Sequence, residues 1–271
     1  MGFGTWQVSA DVDPRKLGEA RALAHNAVQW LARLGNSYRT TEPFNRHVSL
    51  IFDGQRQALI TRPLAGDVAV ELRLPRLEMQ FREGERLVPH VLDIEGRSSA
   101  QIEAWVLVEL LHRGIDRDRF SKHLPYDVHN LMAGDSVEYS PEGCAKELEA
   151  LSSWVSNAQC VLGHLAQRHA TNGIPPEVVC WPDPFQIGLV LAAEPGGQIG
   201  DRALRVGMSA GDERISEPYF FLAEETRGVL RSPPSDGVLT ASVIAHDKSS
   251  AETIVAKLEA MIATTRKRMA T

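Results

Sequence analysis

Ala69-Val-Glu-Leu-Arg-Leu-Pro-Arg-Leu-Glu-Met-Gln-Phe-Arg82 decides the fold class. Val70, Leu72 and Leu74 alternate with Ala69, Glu71 and Arg73, and then Leu77, Met79 and Phe81 alternate with Glu78, Gln80 and Arg82. A period of two sends successive side chains to opposite faces, as in half-buried strands. The parity slips at Pro75-Arg76. Proline cannot donate to a sheet ladder, so the slip marks either an edge bulge or a tight reversal. Asp53-Gly54 and Glu83-Gly84 supply further turns, and residues 47–94 read as a meander of four or five antiparallel strands with one polar face. His90 shares its parity with Val88, Leu92 and Ile94, which makes a satisfied core histidine the expectation there.

Helical periods flank the meander. Asp13-Pro14 is an N-cap and first-turn pair, after which Leu17, Ala20, Ala24, Ala27, Leu31 and Leu34 keep to one face as far as Gly35. His25 and Trp30 border that stripe. Ser98-Ser99-Ala100-Gln101 fits a capping box, and the helix it opens stops at Gly114. Being apolar nearly all round, that helix is expected to lie buried between layers. Residues 115–140 have no clear period, and His123, Tyr126, Asp127 and His129 among them read as a polar loop rather than a metal site, because Pro125 interrupts any helical face.

A long helix opens at Ser140-Pro141 and carries Leu148, Leu151, Val155, Ala158, Leu162 and Leu165. Strands follow through residues 178–222, with another at Val238–Ile244. Ser249-Ser250-Ala251-Glu252 reads as a second capping box, opening a terminal helix. The expected architecture is α+β. Two helix–antiparallel meander–helix halves, residues 1–114 and 141–271, pack as one pseudo-symmetric unit joined by a crossing segment at 115–140.

With 271 residues, 43% hydrophobic and 24% charged, the chain is long enough for a well-buried core and has the composition of a soluble globular protein. A formal net charge of -6 argues against a nonspecific hold on phosphate backbones, so nucleic acid is not an expected partner. The basic run Arg266-Lys267-Arg268 complements the negative end of a helix dipole instead. Cys144, Cys160 and Cys180 have no CxxC spacing and read as reduced, packed thiols, which fits a cytoplasmic location. No apolar run approaches the roughly 20 residues of a membrane span, and the N-terminal residues carry no secretory pattern, so no membrane partner is expected.

Aromatic, acidic and turn residues are densest between Val178 and Leu222. Gly207-Met208-Ser209-Ala210-Gly211 matches G-x-S-x-G, the nucleophile elbow of serine hydrolases. An elbow needs a helix immediately after its serine, and Asp212-Glu213-Arg214-Ile215-Ser216-Glu217-Pro218 does not read as one. Asp236 and His246 are the residues that would complete a triad. Asp212, Glu213 and Glu217, with Asp183, would suit acid–base chemistry or a hard cation if they converged; as neighbours in sequence they read first as a solvated turn. No EF-hand, HExxH or Cys/His ligand pattern is present, and Gly196-Gly197-Gln198-Ile199-Gly200 lacks the order of a phosphate loop, so no metal and no cofactor are expected. Trp181, Pro182, Phe185, Tyr219, Phe220 and Phe221 are numerous enough to line a pocket.

W-P-x-x-F (Trp181, Pro182, Phe185), S-x-G-D (Ser209, Gly211, Asp212) and E-P-Y-F (Glu217, Pro218, Tyr219, Phe220) together resemble a family of uncharacterised bacterial domains of unknown function. The similarity extends to Leu124-Pro125-Tyr126-Asp127 and to the long helix before Trp181. The family's first motif reads like W-P-x-H-F-D, whereas this chain has Pro184 and Gln186 at the His and Asp positions. The resemblance implies no activity.

The leading expectation is a small-molecule site at the junction of the halves, formed by Trp181, Asp183, Ser209, Asp212, Glu217 and Tyr219. Its alternative is a noncatalytic homodimer with the long helix as interface. A serine hydrolase using Ser209 stands third.

Overall fold

The computed structural model describes residues 6, 13–197, 199–227 and 229–270. The architecture is α+β: the described residues form five α-helices and eleven strands, with every described strand pairing antiparallel. The chain divides into two compact units.

One unit comprises Arg15–Ser152 and Cys180–Phe185. Helix α1 (Pro14–Tyr38) is followed by β1 (Leu50–Asp53), β2 (Ala58–Thr61), β3 (Val68–Arg73), β4 (Glu78–Glu83) and β5 (Arg86–Asp93), each strand pairing with the next. The slip at Pro75-Arg76 is a tight reversal, since β3 and β4 stay in register from Val68↔Glu83 to Arg73↔Glu78 around it. The face expected to be polar is covered. Glu71, Gln80 and Arg82 are buried, and Arg73 Nε lies 3.1 Å from Glu71 Oε1. Burying a charge is costly unless it is paired.

Helix α2 (Ser99–His112) has both hydrogen bonds of its capping box, and Gly114 takes a left-handed φ of 66° just past its end. It does not lie buried between layers as expected: Val108 and Leu111 are 47% and 54% exposed. Helix α1 runs past Gly35, where a Cβ would stand 3.1 Å from the His47 carbonyl. That glycine permits close approach rather than ending the helix. His90 also departs from expectation: its side chain is 63% exposed on β5. Residues 115–140 lie within this unit, and β6 (Val179–Trp181) reaches it through the pair Leu50↔Cys180.

The other unit comprises the described residues of Met1–Pro14, Ser153–Val179 and Gln186–Thr271. Strands β7 (Gln186–Ala192), β8 (Arg202–Ser209), β9 (Tyr219–Thr226) and β10 (Val229–Leu230) form a second meander, and β11 (Val238–Thr240) also pairs with β9. The strand expected at Val238–Ile244 is cut short because Thr240 accepts the Val243 N–H and starts helix α4 (Ala241–His246). Helix α5 (Ala251–Ala270) is capped by Ser250, which accepts from Thr253; the Ser249–Glu252 box is not formed. Helix α3 (Ala145–Arg168) spans residues of both units and has its apolar stripe buried. The three cysteines are free, and among the described residues no helix is long and apolar enough to cross a membrane.

Candidate functional site

Strands β8 and β9 pair Ser209 with Tyr219, and the loop joining them returns Asp212 to the same end of the hairpin. Gly211, with a φ of 108°, makes the return geometrically accessible. Asp212 Oδ1 then accepts the backbone N–H groups of Arg214 and Ile215, both at 2.8 Å, while Oδ2 accepts the Tyr219 hydroxyl at 2.6 Å. The loop is locked by one carboxylate with three donors.

Burial alone would raise the Asp212 carboxyl, but the Tyr219 hydroxyl and then the Ile215 and Arg214 amides outweigh it and hold it below the ordinary value. Tyr219 is pushed up to about 12, first by burial and then by its bond to Asp212. At neutral pH the pair is therefore a fixed carboxylate and a neutral phenol. It supplies polarity and shape rather than a proton.

Tyr219 packs edge-on against Phe221 at 6.1 Å in a cluster with Ala223, Ile215, Leu230 and Val238. Above this apolar floor lies a cavity of about 280 Å³ lined by Asp212, Arg214, Ile215, Tyr219, Pro233, Val238 and Thr240. Arg214 is exposed at its edge, and its guanidinium makes no hydrogen bond or ion pair among the described residues.

The six expected site residues sort into two groups. Asp212 and Tyr219 line the cavity, and Ser209 sits directly across the hairpin from Tyr219. Ser209 is 1% exposed and its Oγ accepts the Gly211 N–H at 3.2 Å, which commits it to the loop. No helix follows it: β8 ends at Ser209 and the chain enters β9 ten residues later without an intervening helix, so the strand-to-helix elbow of a serine hydrolase is not formed. Gly207 has a packing reason for being glycine, since a Cβ would meet the Ile187 carbonyl at 2.6 Å and the Phe221 ring at 3.0 Å. Glu217 accepts the backbone N–H and the hydroxyl of Ser242, at 2.6 and 2.7 Å, and anchors the start of α4.

Trp181 and Asp183 belong to the other unit. There the W-P-x-x-F residues form a turn in which Phe185 N–H donates to the Pro182 carbonyl at 3.1 Å, and the Asp183–Pro184 bond is cis. Fully buried Gln29 on α1 holds this turn by donating to the Pro182 carbonyl at 3.0 Å and accepting the Tyr126 hydroxyl at 3.0 Å. Phe185 stacks on His25 with centroids 6.0 Å apart. Burial raises the Asp183 carboxyl, with His129 pulling the other way. Trp181 itself is 8% exposed and lies in the core.

Sequence reasoning did not reach Arg214, Ile215, Pro233, Val238 and Thr240 as cavity walls. Arg214 and Ile215 follow the motif's Asp212 closely in sequence, but the other three arrive only through the pairing of β11 with β9 and the loop before it. No family model matches the chain, and neither a characterised protein nor a solved structure does.

Proposed function

We propose that this protein binds a small molecule with an apolar body and one acidic group in the cavity at Asp212, Arg214 and Tyr219. The observation that carries the proposal is the exposed Arg214 guanidinium at the rim of a cavity of about 280 Å³ with an apolar floor. Ligand pockets commonly run from roughly 300 to 1,000 Å³, so this one suits a single-ring or short-chain compound rather than a dinucleotide. Arginine supplies a planar fork for a carboxylate. The apolar body would rest on Ile215, Val238 and the Tyr219 ring, while the ionised Asp212 disfavours a second anionic group deeper in. Because Asp212 and Tyr219 are fixed in their neutral-pH states, the arrangement supports recognition more directly than proton transfer.

The experiment is a thermal-shift series with short aliphatic and single-ring aryl monocarboxylates, each beside its amide, on the wild type and on Val238→Trp. The proposal expects carboxylates to raise Tm, amides to do so less, and the tryptophan, which fills the cavity, to abolish the effect. No carboxylate-dependent shift, or an undiminished one in Val238→Trp, would overturn it.

A further inference from the structure

Away from that cavity, β5 and α2 bring together three side chains with metal-ligand chemistry. Glu109 and His112 are three apart on α2 and so project from one face of the helix. The antiparallel meander ends with β5 beside them, and His90 completes the group. His90 Nδ1 lies 3.2 Å and His112 Nδ1 lies 3.8 Å from the same Glu109 oxygen, Oε1. One ligand atom from each of the three falls within 4.8 Å of the others.

We propose that His90, Glu109 and His112 form a binding site for a late first-row divalent ion of the Zn²⁺ type. Ligand atoms about 2.1 Å from a tetrahedral ion stand roughly 3.4 Å apart, which the two measured separations bracket. The exposed imidazoles, 63% and 55% in contact with solvent, are free to close the longest edge by rotation. Two imidazole nitrogens and one carboxylate oxygen suit Zn²⁺, Co²⁺ or Ni²⁺, whereas Mg²⁺ and Ca²⁺ take oxygen donors. Three protein ligands leave a fourth position to water or to an exogenous group.

The carboxylate is positioned for this by its surroundings. Glu109 is only 3% exposed, and its second oxygen, Oε2, accepts Arg113 Nη1 at 2.7 Å. Arg113 is held in turn over the Phe81 ring, 4.4 Å from its centroid. The guanidinium fixes the carboxylate plane and leaves Oε1 turned toward the two histidines, as a supporting hydrogen bond orients a ligand in a metal site.

The test uses the full chain without a histidine tag, stripped by chelator and desalted, with Co²⁺ as the probe. The proposal expects saturable uptake of one equivalent, visible ligand-field absorption, displacement by Zn²⁺ and no competition from Mg²⁺ or Ca²⁺. His90→Ala and His112→Ala, both at exposed side chains that leave the fold intact, should each weaken Co²⁺ binding at least tenfold, whereas His123→Ala should not. Absence of a saturable equivalent, or wild-type affinity in both His90→Ala and His112→Ala, would overturn the site.

Discussion

The bond from Tyr219 to Asp212 permits a quantitative test of how the cavity is built. Tyr219→Phe removes one hydroxyl and leaves the ring on Phe221. A hydrogen bond to a charged group contributes about 1.5–3 kcal/mol. Asp212 is half-buried, so screening puts the expected loss near the low end, about 1.5 kcal/mol. Asp212→Ala loses that bond and the acceptor for two loop amides, for about 2–3 kcal/mol. Because both single variants delete the same bond, the double variant should fall short of their sum by about 1 kcal/mol or more. Urea titrations of the four proteins measure this. At the size of this chain, Tyr219→Phe should also lower Tm by roughly 3–6 °C. The pH dependence has two edges. Asp212 has a depressed folded value, so its contribution is present above the ordinary carboxylate range and is lost as pH falls through the folded value. Tyr219 is raised to about 12, so the coupling is complete below its ordinary value of about 10 and disappears as pH rises toward 12. Additivity within about 0.3 kcal/mol at pH 7 would refute the reasoning.

Other residues give sharp expectations as well. Gly207→Ala should cost about 2–3 kcal/mol in urea unfolding, since the added methyl meets the Ile187 backbone carbonyl at 2.6 Å, and a cost under 0.5 kcal/mol would show that β8 yields easily. Gln29→Leu leaves the Pro182 carbonyl and the Tyr126 hydroxyl without their partner, for an expected loss of about 2–4 kcal/mol by the same measurement. Asp183 has a raised folded value, so the wild type benefits below the ordinary carboxylate range and loses that benefit as pH rises through the folded value. Asp183→Asn should therefore raise Tm relative to wild type at pH 7, with the difference shrinking on acidification; a constant difference across pH would count against burial as the cause.

Much of the fold was legible because its signals are local. The period of two from Ala69 to Arg82 and the box at Ser98 depend on neighbours in sequence, and both appear in the structure. The misreadings were tertiary. Gly35 looks like a helix stop until the His47 carbonyl is seen packed against it. Val238–Ile244 is apolar enough for strand or helix, and the Thr240 cap decides for α4 after three residues of β11. His90 has the parity of Leu92 but sits on an exposed stretch of β5, where its neighbours are Glu109 and His112. The Glu109–His112 spacing was readable along the helix; its pairing with His90 was not, because it depends on where β5 meets α2. At the cavity, Asp212 and Tyr219 stood out as an acid and an aromatic in turn-rich sequence, while Glu217, equally conspicuous there, is a helix anchor.

Calorimetric titration of single-ring aryl monocarboxylates into wild type and Arg214→Gln tests the central claim most directly. The account predicts saturable binding to the wild type, at least tenfold weaker in Arg214→Gln, with the matching amides nearly indifferent to the substitution. Equal affinity in the two proteins, or no binding to the wild type by any member of the series, would contradict it.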